Sequence, residues 1–423
     1  MEMLYMSNAL DYARKMDVWW WSTTPEIKLS ADFLTDKIWK KYPYRFDKNR
    51  LKNHLKVILT NLLVCHKHDT KLYLSFSLDR NNYILPERYR KIYFKYQYIK
   101  FIVDYLRDNG YIEFHQGINF GTYKRCARMR NTQKLLRLFR KYRKEDEGKT
   151  FRRTLPVFLR NSKKQEIKFD INQPDVKSYI QNTNRINKCL SRHSIIGEVS
   201  EFDLKEFLEH YKKYAGNDKY HRVFNNSSFE QGGRFYGHWS QNIPSKFRKY
   251  ITIDGKRTVE LDYSCLHISM LFGLEDMVPP RGDLYQLKGI NRQFRPVIKK
   301  AVNIILNAAT EAEACKAMYN EVINKLAPDE KAICPKPKQI IEAIRNTYPN
   351  LIKYFCTGQG VKLQYYDSLI AEKILLDFAK DDICCLTIHD SFIIAEEHRN
   401  RLEELMTNYF RESFRFNPNI SSK

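Results

Sequence analysis

The sequence predicts an α+β protein of more than one domain, on three observations. At Val259–Ile268 a strand runs into a helix: Val259, Leu261 and Tyr263 alternate with Glu260 and Asp262, and Leu266, Met270 and Leu271 then recur at helical spacing. At Ile383–Ile394 two strongly apolar strands flank a polar His389-Asp390 turn. Between Leu51 and Ala127 helices give way to a strand, a turn and a second strand. With 423 residues the chain is long enough for two or three domains with their own cores.

Composition narrows the partners. Lys and Arg outnumber Asp and Glu 73 to 49, a formal charge of +24. Such an excess implies a polyanion, first of all nucleic acid, with a membrane surface as the competing partner. No run of about 18 apolar residues exists, so no membrane span is expected, and the apolar stretch around Trp19-Trp20-Trp21 is too short for a signal peptide. Nine cysteines stand singly apart from Cys384-Cys385, with no CxxC pair, which predicts reduced thiols in a cytoplasmic protein. Cys65-His66-Lys67-His68 is the one metal-like run, and it lacks a second half.

In chain order, residues 1 to about 50 carry no clear pattern. Leu51, Leu55, Ile58, Leu59, Leu62 and Leu63 define one face of a helix. A second helix begins near Tyr96, with Ile99, Ile102, Val103 and Leu106 as its stripe, and Asn109-Gly110 ends it. A strand at 111–115 and a turn at Gln116-Gly117 lead to a second strand over 122–127. This order suits a winged-helix DNA-binding module, with Lys124, Arg125, Arg128 and Arg130 on the wing and Lys134, Arg137, Arg140 and Lys141 on the next helix; an ordinary basic α+β domain fits as well. Residues 143–150 are charged and read as a linker. Residues 151 to about 230 hold two helices, near 176–190 and 201–214, as a connector or clamp.

Four stretches carry chemistry. Ser264 is placed to cap the helix after the 258–262 strand, which leaves Asp262 at a strand tip. Upstream, Gly232-Gly233-Arg234 and Gln241-Asn242-Ile243-Pro244 combine glycines, which allow close approach, with Arg234, Gln241 and Asn242 as donors suited to minor-groove acceptors. Arg295, Lys299, Asn303 and Asn307 share one face of a helix begun by Pro296, backed by Val297, Ile298, Ala301, Val302, Ile305 and Leu306. Two cations at the start of such a helix suit a triphosphate. Finally, a carboxylate at the turn of an apolar hairpin needs compensation, and a divalent metal would supply it for Asp390. Two strand-borne carboxylates can hold a pair of Mg²⁺ ions, with Mn²⁺ as substitute, for phosphoryl transfer.

Taken in order, Gly-Arg with Gln-Asn-Ile-Pro, Glu-x-Asp-Tyr-Ser (260–264), Arg-x3-Lys (295–299) and Ile-His-Asp (388–390) resemble the motifs of family A DNA polymerases. The phage-type single-subunit RNA polymerases are similar in the last three. The resemblance covers about 230 to 423. It implies a right-hand palm and fingers with a reduced thumb, acting on a DNA primer–template with nucleoside triphosphates. Asp262 and Asp390 would be the catalytic metal ligands. Lys299 and Arg295 would hold the nucleotide phosphates; His267, Asn303, Asn307, Tyr263 and His389 would line the nucleotide site. Arg234, Gln241, Asn242 and Gln364 would touch nucleic acid. The chain departs from the DNA branch at His267, where Glu is usual, at Asn303 and Asn307, where aromatics are usual, and at Ser391-Phe392 after His-Asp. Sugar choice therefore stays open between dNTPs and rNTPs, with dNTPs favoured by the Gln-Asn-Ile-Pro loop.

The expected organisation is an N-terminal winged-helix-like region over 1–145, a helical connector or thumb-like region over 151–230, and a polymerase part over 231–423. That architecture suggests a replication-initiating DNA polymerase of a phage or mobile element. An RNA polymerase or primase, and a non-catalytic DNA-binding initiator, are the alternatives.

Overall fold

The computed structural model describes residues 13–83, 94–120, 123–144, 147–198 and 217–423, with Leu10 and single positions within 206–214. The chain is a mixed α and β structure of two compact units: Met1–Leu155 with Val199–Asp218 and Gly237–Phe247, and Pro156–Glu198 with Lys219–Tyr236 and Arg248–Lys423. The connector expected over 151–230 is thus divided between two units, and the expected 201–214 helix falls largely outside the described residues. No described helix is long and apolar enough to cross a membrane.

In the first unit, helices Pro25–Lys41 and Lys48–His68 pack together with Tyr96–Asp108. The stripe read from Leu51 to Leu63 is buried, and Gly110 at φ 68° follows the 96–108 helix. A four-stranded sheet runs in the order Ala13–Lys15, Tyr73–Phe76, Ala127–Asn131, Ile112–His115. The partner of the expected 111–115 strand lies further along the chain than the expected 122–127 strand. Ile112–His115 pairs with Ala127–Asn131, and a separate hairpin, Ile118–Phe120 with Tyr123–Arg125, lies between them in the chain. The expected linker is not free either. Thr150–Arg152 pairs with Trp20–Ser22, and the Thr23 amide donates to the Lys149 carbonyl at 3.0 Å.

The basic residues assigned to the wing are partly committed. Arg128 is buried, and its guanidinium donates to the carbonyls of Leu10 (3.1 Å) and Cys126 (3.0 Å), which removes it from the expected nucleic-acid set. Arg130 pairs with Glu113 at 2.5 Å and lies over the Tyr73 ring. Arg125 is half-buried, and the Lys124 side chain lies outside the described residues. Sequence periodicity cannot reveal these losses, because partners such as Leu10 and Glu113 are distant in the chain.

A buried histidine makes this unit sensitive to acid. The His54 ring stacks between Phe94 and Tyr98, its Nδ1 donates to the Arg50 carbonyl (2.6 Å), and its Nε2 accepts the Lys95 amide (2.9 Å). Burial lowers its pKa to about 4. The folded value lies below the unfolded one, so the stabilisation is intact above about pH 6.5 and is lost as pH falls toward 4, by roughly 3 kcal/mol. All five tryptophans belong to this unit, so Trp fluorescence reports its unfolding. In urea titrations at pH 7 and pH 4, H54F is expected to shrink the pH-dependent stability loss by roughly that amount.

The second unit is built on an antiparallel sheet in the order Ile195–Gly197, Ile251–Ile253, Lys256–Tyr263, Ser391–Ala395, Cys385–Ile388, with Ile420–Ser422 also paired to the 256–263 strand. The two hairpin strands are buried along their whole length, as their unbroken apolar character requires. Helices Pro174–Leu190, Leu266–Leu274, Arg295–Asn307, Gly360–Lys380 and Arg399–Phe414 complete this unit.

Candidate active site

The 256–263 and 391–395 strands set the two acidic residues side by side. Asp262 stands opposite Ser391, and the Tyr263 amide donates to the Asp390 carbonyl at 3.4 Å. Residues opposed across such a ladder have Cα atoms about 5 Å apart, so Asp390, next to Ser391, is an immediate neighbour of Asp262. The turn closes sharply because His389 adopts φ 60°, the left-handed region. Burial, then the negative charge of Asp390, raises the Asp262 carboxyl above its ordinary range, against the pull of Lys423 and Lys299. Two carboxylates held this way form a site that gains from a cation.

Both line a cavity of about 470 Å³ whose wall includes Arg234, His267, Tyr285, Arg295, Lys299, Asn303, Asn307 and Gln364. The 295–307 helix is as the sequence predicts. Val297, Ile298, Ala301, Val302, Ile305 and Leu306 are buried, and Arg295, Lys299, Asn303 and Asn307 face the cavity. Arg295 is held in place: its guanidinium pairs with Asp283, and its terminal nitrogen lies 3.2 Å from the other oxygen. Asn307 donates to the Asn303 carbonyl at 2.7 Å and sits hard against the start of the 360–380 helix. A Cβ on Gly360 would stand 2.1 Å from its side-chain oxygen, so any larger residue there would displace the Asn307 side chain.

The back wall is a buried polar cluster. The Arg234 Nε donates to Asp367 at 2.8 Å, and its terminal nitrogen bonds both that carboxylate and His267 Nε2, at 3.0 Å from the histidine. Arginine can only donate, so Nε2 is the acceptor toward Arg234, and the same nitrogen lies 3.4 Å from the Asp367 carboxylate. Burial acts to raise the Asp367 pKa, and the Arg234 charge outweighs it, leaving the carboxyl below its usual range. Arg234 is therefore spent on the wall, not free to probe a groove.

Some predicted residues are placed otherwise. Ser264 does not cap the next helix. Its amide donates to the Asn419 carbonyl (2.8 Å), its hydroxyl bonds Ser421, and Cys265 at φ 55° precedes the helix. The Tyr263 side chain is buried and donates to the Met406 carbonyl at 2.7 Å, which ties its hydroxyl to the 399–414 helix. The His389 ring packs on Tyr236, with centroids 5.5 Å apart, and burial lowers its pKa. Gln241 and Asn242 belong to the first unit, on the Trp239–Asn242 turn, where Asn242 donates to the His238 carbonyl at 3.4 Å.

The sequence reading missed Lys423. Its ammonium lies 2.8 Å from Asp262 and 3.6 Å from Glu260, where a cation on the acidic pair would sit. No motif announces it, because the contact is made by the 420–422 strand joining the sheet edge beside Asp262. Lys423→Ala is expected to cost no more than about 1 kcal/mol of stability, the scale of a half-exposed ion pair, and a thermal melt of the variant checks this.

No protein-family model matches the chain, and no curated protein matches it. Among solved structures, a similar one is the POL domain of Pol1 from M. smegmatis in complex with DNA primer-template and dNTP. It is 11% identical with a TM-score of 0.28, over 93% of this chain and 65% of that one. This chain thus spans less than two thirds of the length of that relative.

Proposed function

We propose that the chain is a template-directed nucleotidyltransferase that extends a DNA primer with nucleoside triphosphates, dNTPs in preference, on a DNA template. The observation that carries this reading is the placement of Asp390, in the turn that opens strand 391–395, beside Asp262 on the neighbouring strand, in one cavity with the Lys299–Arg295 helix face. The donor set fits Mg²⁺: two carboxylates, one of them lifted in pKa by burial and then by its neighbour, with a lysine ammonium already resting on it. Asp262 and Asp390 would hold the metal pair, which when bound supplies charge to the attacking and leaving oxygens.

The remaining work falls to side chains of this chain. Lys299 and Arg295, a helical turn apart, would bind the triphosphate and offset charge on the departing pyrophosphate. A phosphate must compete with Asp283 for Arg295, so nucleotide entry and release of Asp283 are coupled. The locked Arg234–Asp367–His267 wall gives the cavity a fixed shape, which favours one orientation of the incoming nucleotide. The basic helix Gln133–Tyr142 and the 118–125 hairpin of the first unit would grip the DNA backbone, consistent with the net charge of +24.

Extension of a labelled primer on a defined template, with Mg²⁺ and either dNTPs or rNTPs, tests the proposal. Growth to the template end with dNTPs is expected. Growth with rNTPs alone would mark an RNA polymerase or primase, and growth without template a terminal transferase. Absence of any incorporation, with Mg²⁺ or Mn²⁺, would leave a non-catalytic DNA binder.

A further inference from the structure

We propose that Cys189, His193 and Asp382 bind one divalent transition-metal ion, with zinc the best chemical match. The three come from two segments of the second unit. Cys189 lies in the last turn of the 174–190 helix, His193 three residues beyond it, and Asp382 just after the 360–380 helix. One ligand atom from each falls within 4.8 Å of the others. Ligands of a tetrahedral zinc ion, at about 2.0–2.3 Å from the metal, stand roughly 3.3–3.8 Å apart, so closure needs only small side-chain shifts.

The histidine supplies an independent sign. His193 Nδ1 is tied to Asp254 Oδ2 at 2.6 Å, and Asp254 is itself fixed by the Ser194 amide at 2.8 Å. That leaves Nε2, which is buried, has no hydrogen-bond partner among the described residues and lies 3.6 Å from Asp382. A carboxylate on one imidazole nitrogen with the other aimed at a cluster of ligands is the arrangement that orients metal-binding histidines. Arg192 fills the role of a cation meanwhile, donating from Nε to Asp382 Oδ1 at 2.7 Å. The second carboxylate oxygen remains for a metal. The Cys189 thiol donates to the Ile383 carbonyl at 3.5 Å; coordination would release its proton to solvent.

A thiolate and an imidazole select zinc-like ions over Mg²⁺, so this site is chemically distinct from the Asp262–Asp390 pair. None of its three ligands lines the 470 Å³ cavity. The metal would tie the end of the 174–190 helix to the turn before strand 385–388. Through Asp254 it would also engage the hairpin turn that begins the strand bearing Asp262. Its role is to fasten the sheet under the acidic pair.

The test is a Co²⁺ titration of the EDTA-stripped full chain, read by absorption. One equivalent is expected to give a thiolate-to-cobalt charge-transfer band that Zn²⁺ abolishes. C189S should lose the band and H193Q should weaken binding at least tenfold, while D262N keeps it. Circular dichroism of each variant establishes that it is folded, and Zn²⁺ should raise the Tm of the wild type and leave C189S unmoved. A wild type with no charge-transfer band, or a folded C189S and H193Q that bind Co²⁺ as the wild type does, would overturn the proposal.

Discussion

On the proposed mechanism, Asp262→Asn and Asp390→Asn are each expected to lower nucleotide incorporation by at least about a thousandfold, a loss of ~4 kcal/mol of transition-state stabilisation. Each replacement keeps the side-chain shape and removes one of the two charges proposed to hold metal. Binding of primer–template should persist, because it rests on basic groups elsewhere in the chain. Stability should move the other way. The Asp262 pKa is raised by burial and by Asp390, so above its ordinary titration range the folded protein bears a charge that folding disfavours. Removing that charge at pH 7 is expected to leave Tm unchanged or higher, less whatever the Lys423 contact contributes. Inactive variants at least as stable as the wild type mark a site kept for chemistry. Steady-state incorporation rates, thermal melts and DNA-binding isotherms on the same preparations check all three statements.

Asp367→Ala is expected to destabilise the second unit by about 3–5 kcal/mol, the cost of leaving one member of a buried ion pair alone. Asp367 is 4% exposed and accepts from both Arg234 nitrogens named above. Without it, the guanidinium stays buried against His267 with no counter-charge. Tryptophan fluorescence would miss this effect, since the tryptophans lie in the other unit, so calorimetry is the measurement. Asp367→Asn keeps two acceptor lone pairs and should lose less. R234M combined with D367L removes both charges and should recover most of the loss. Equal destabilisation by the double and single variants would show that shape, not charge, dominates there.

The contrast between these residues explains what the sequence could reveal. The 295–307 helix was legible because its polar and apolar residues divide cleanly on a period of four, and the structure buries the apolar set. The 383–394 hairpin was legible because a polar pair interrupts two fully apolar strands. Asp367 left a fainter sign: Leu363, Asp367, Ala371 and Ile374 lie on one buried stripe of the 360–380 helix, and a carboxylate in such a stripe needs a buried cation. Which cation it takes is a long-range fact, as are the Asp283 hold on Arg295 and the Lys423 contact with Asp262. Ser264 misled because a good capping residue was claimed by the 420–422 strand. Arg128 misled because a basic strand residue can point inward when carbonyls receive it. The Cys189–His193–Asp382 cluster has no compact motif, since Asp382 stands about 190 positions from the other two.

The most direct test is crystallographic: the chain with primer–template, a non-hydrolysable nucleoside triphosphate and Mn²⁺, with anomalous scattering used to locate the metal. The account predicts two peaks about 4 Å apart, each within coordinating distance of Asp262 or Asp390, with the triphosphate between them and Lys299. Nucleotide bound with no peak at either carboxylate, or with the metal held elsewhere, would contradict it.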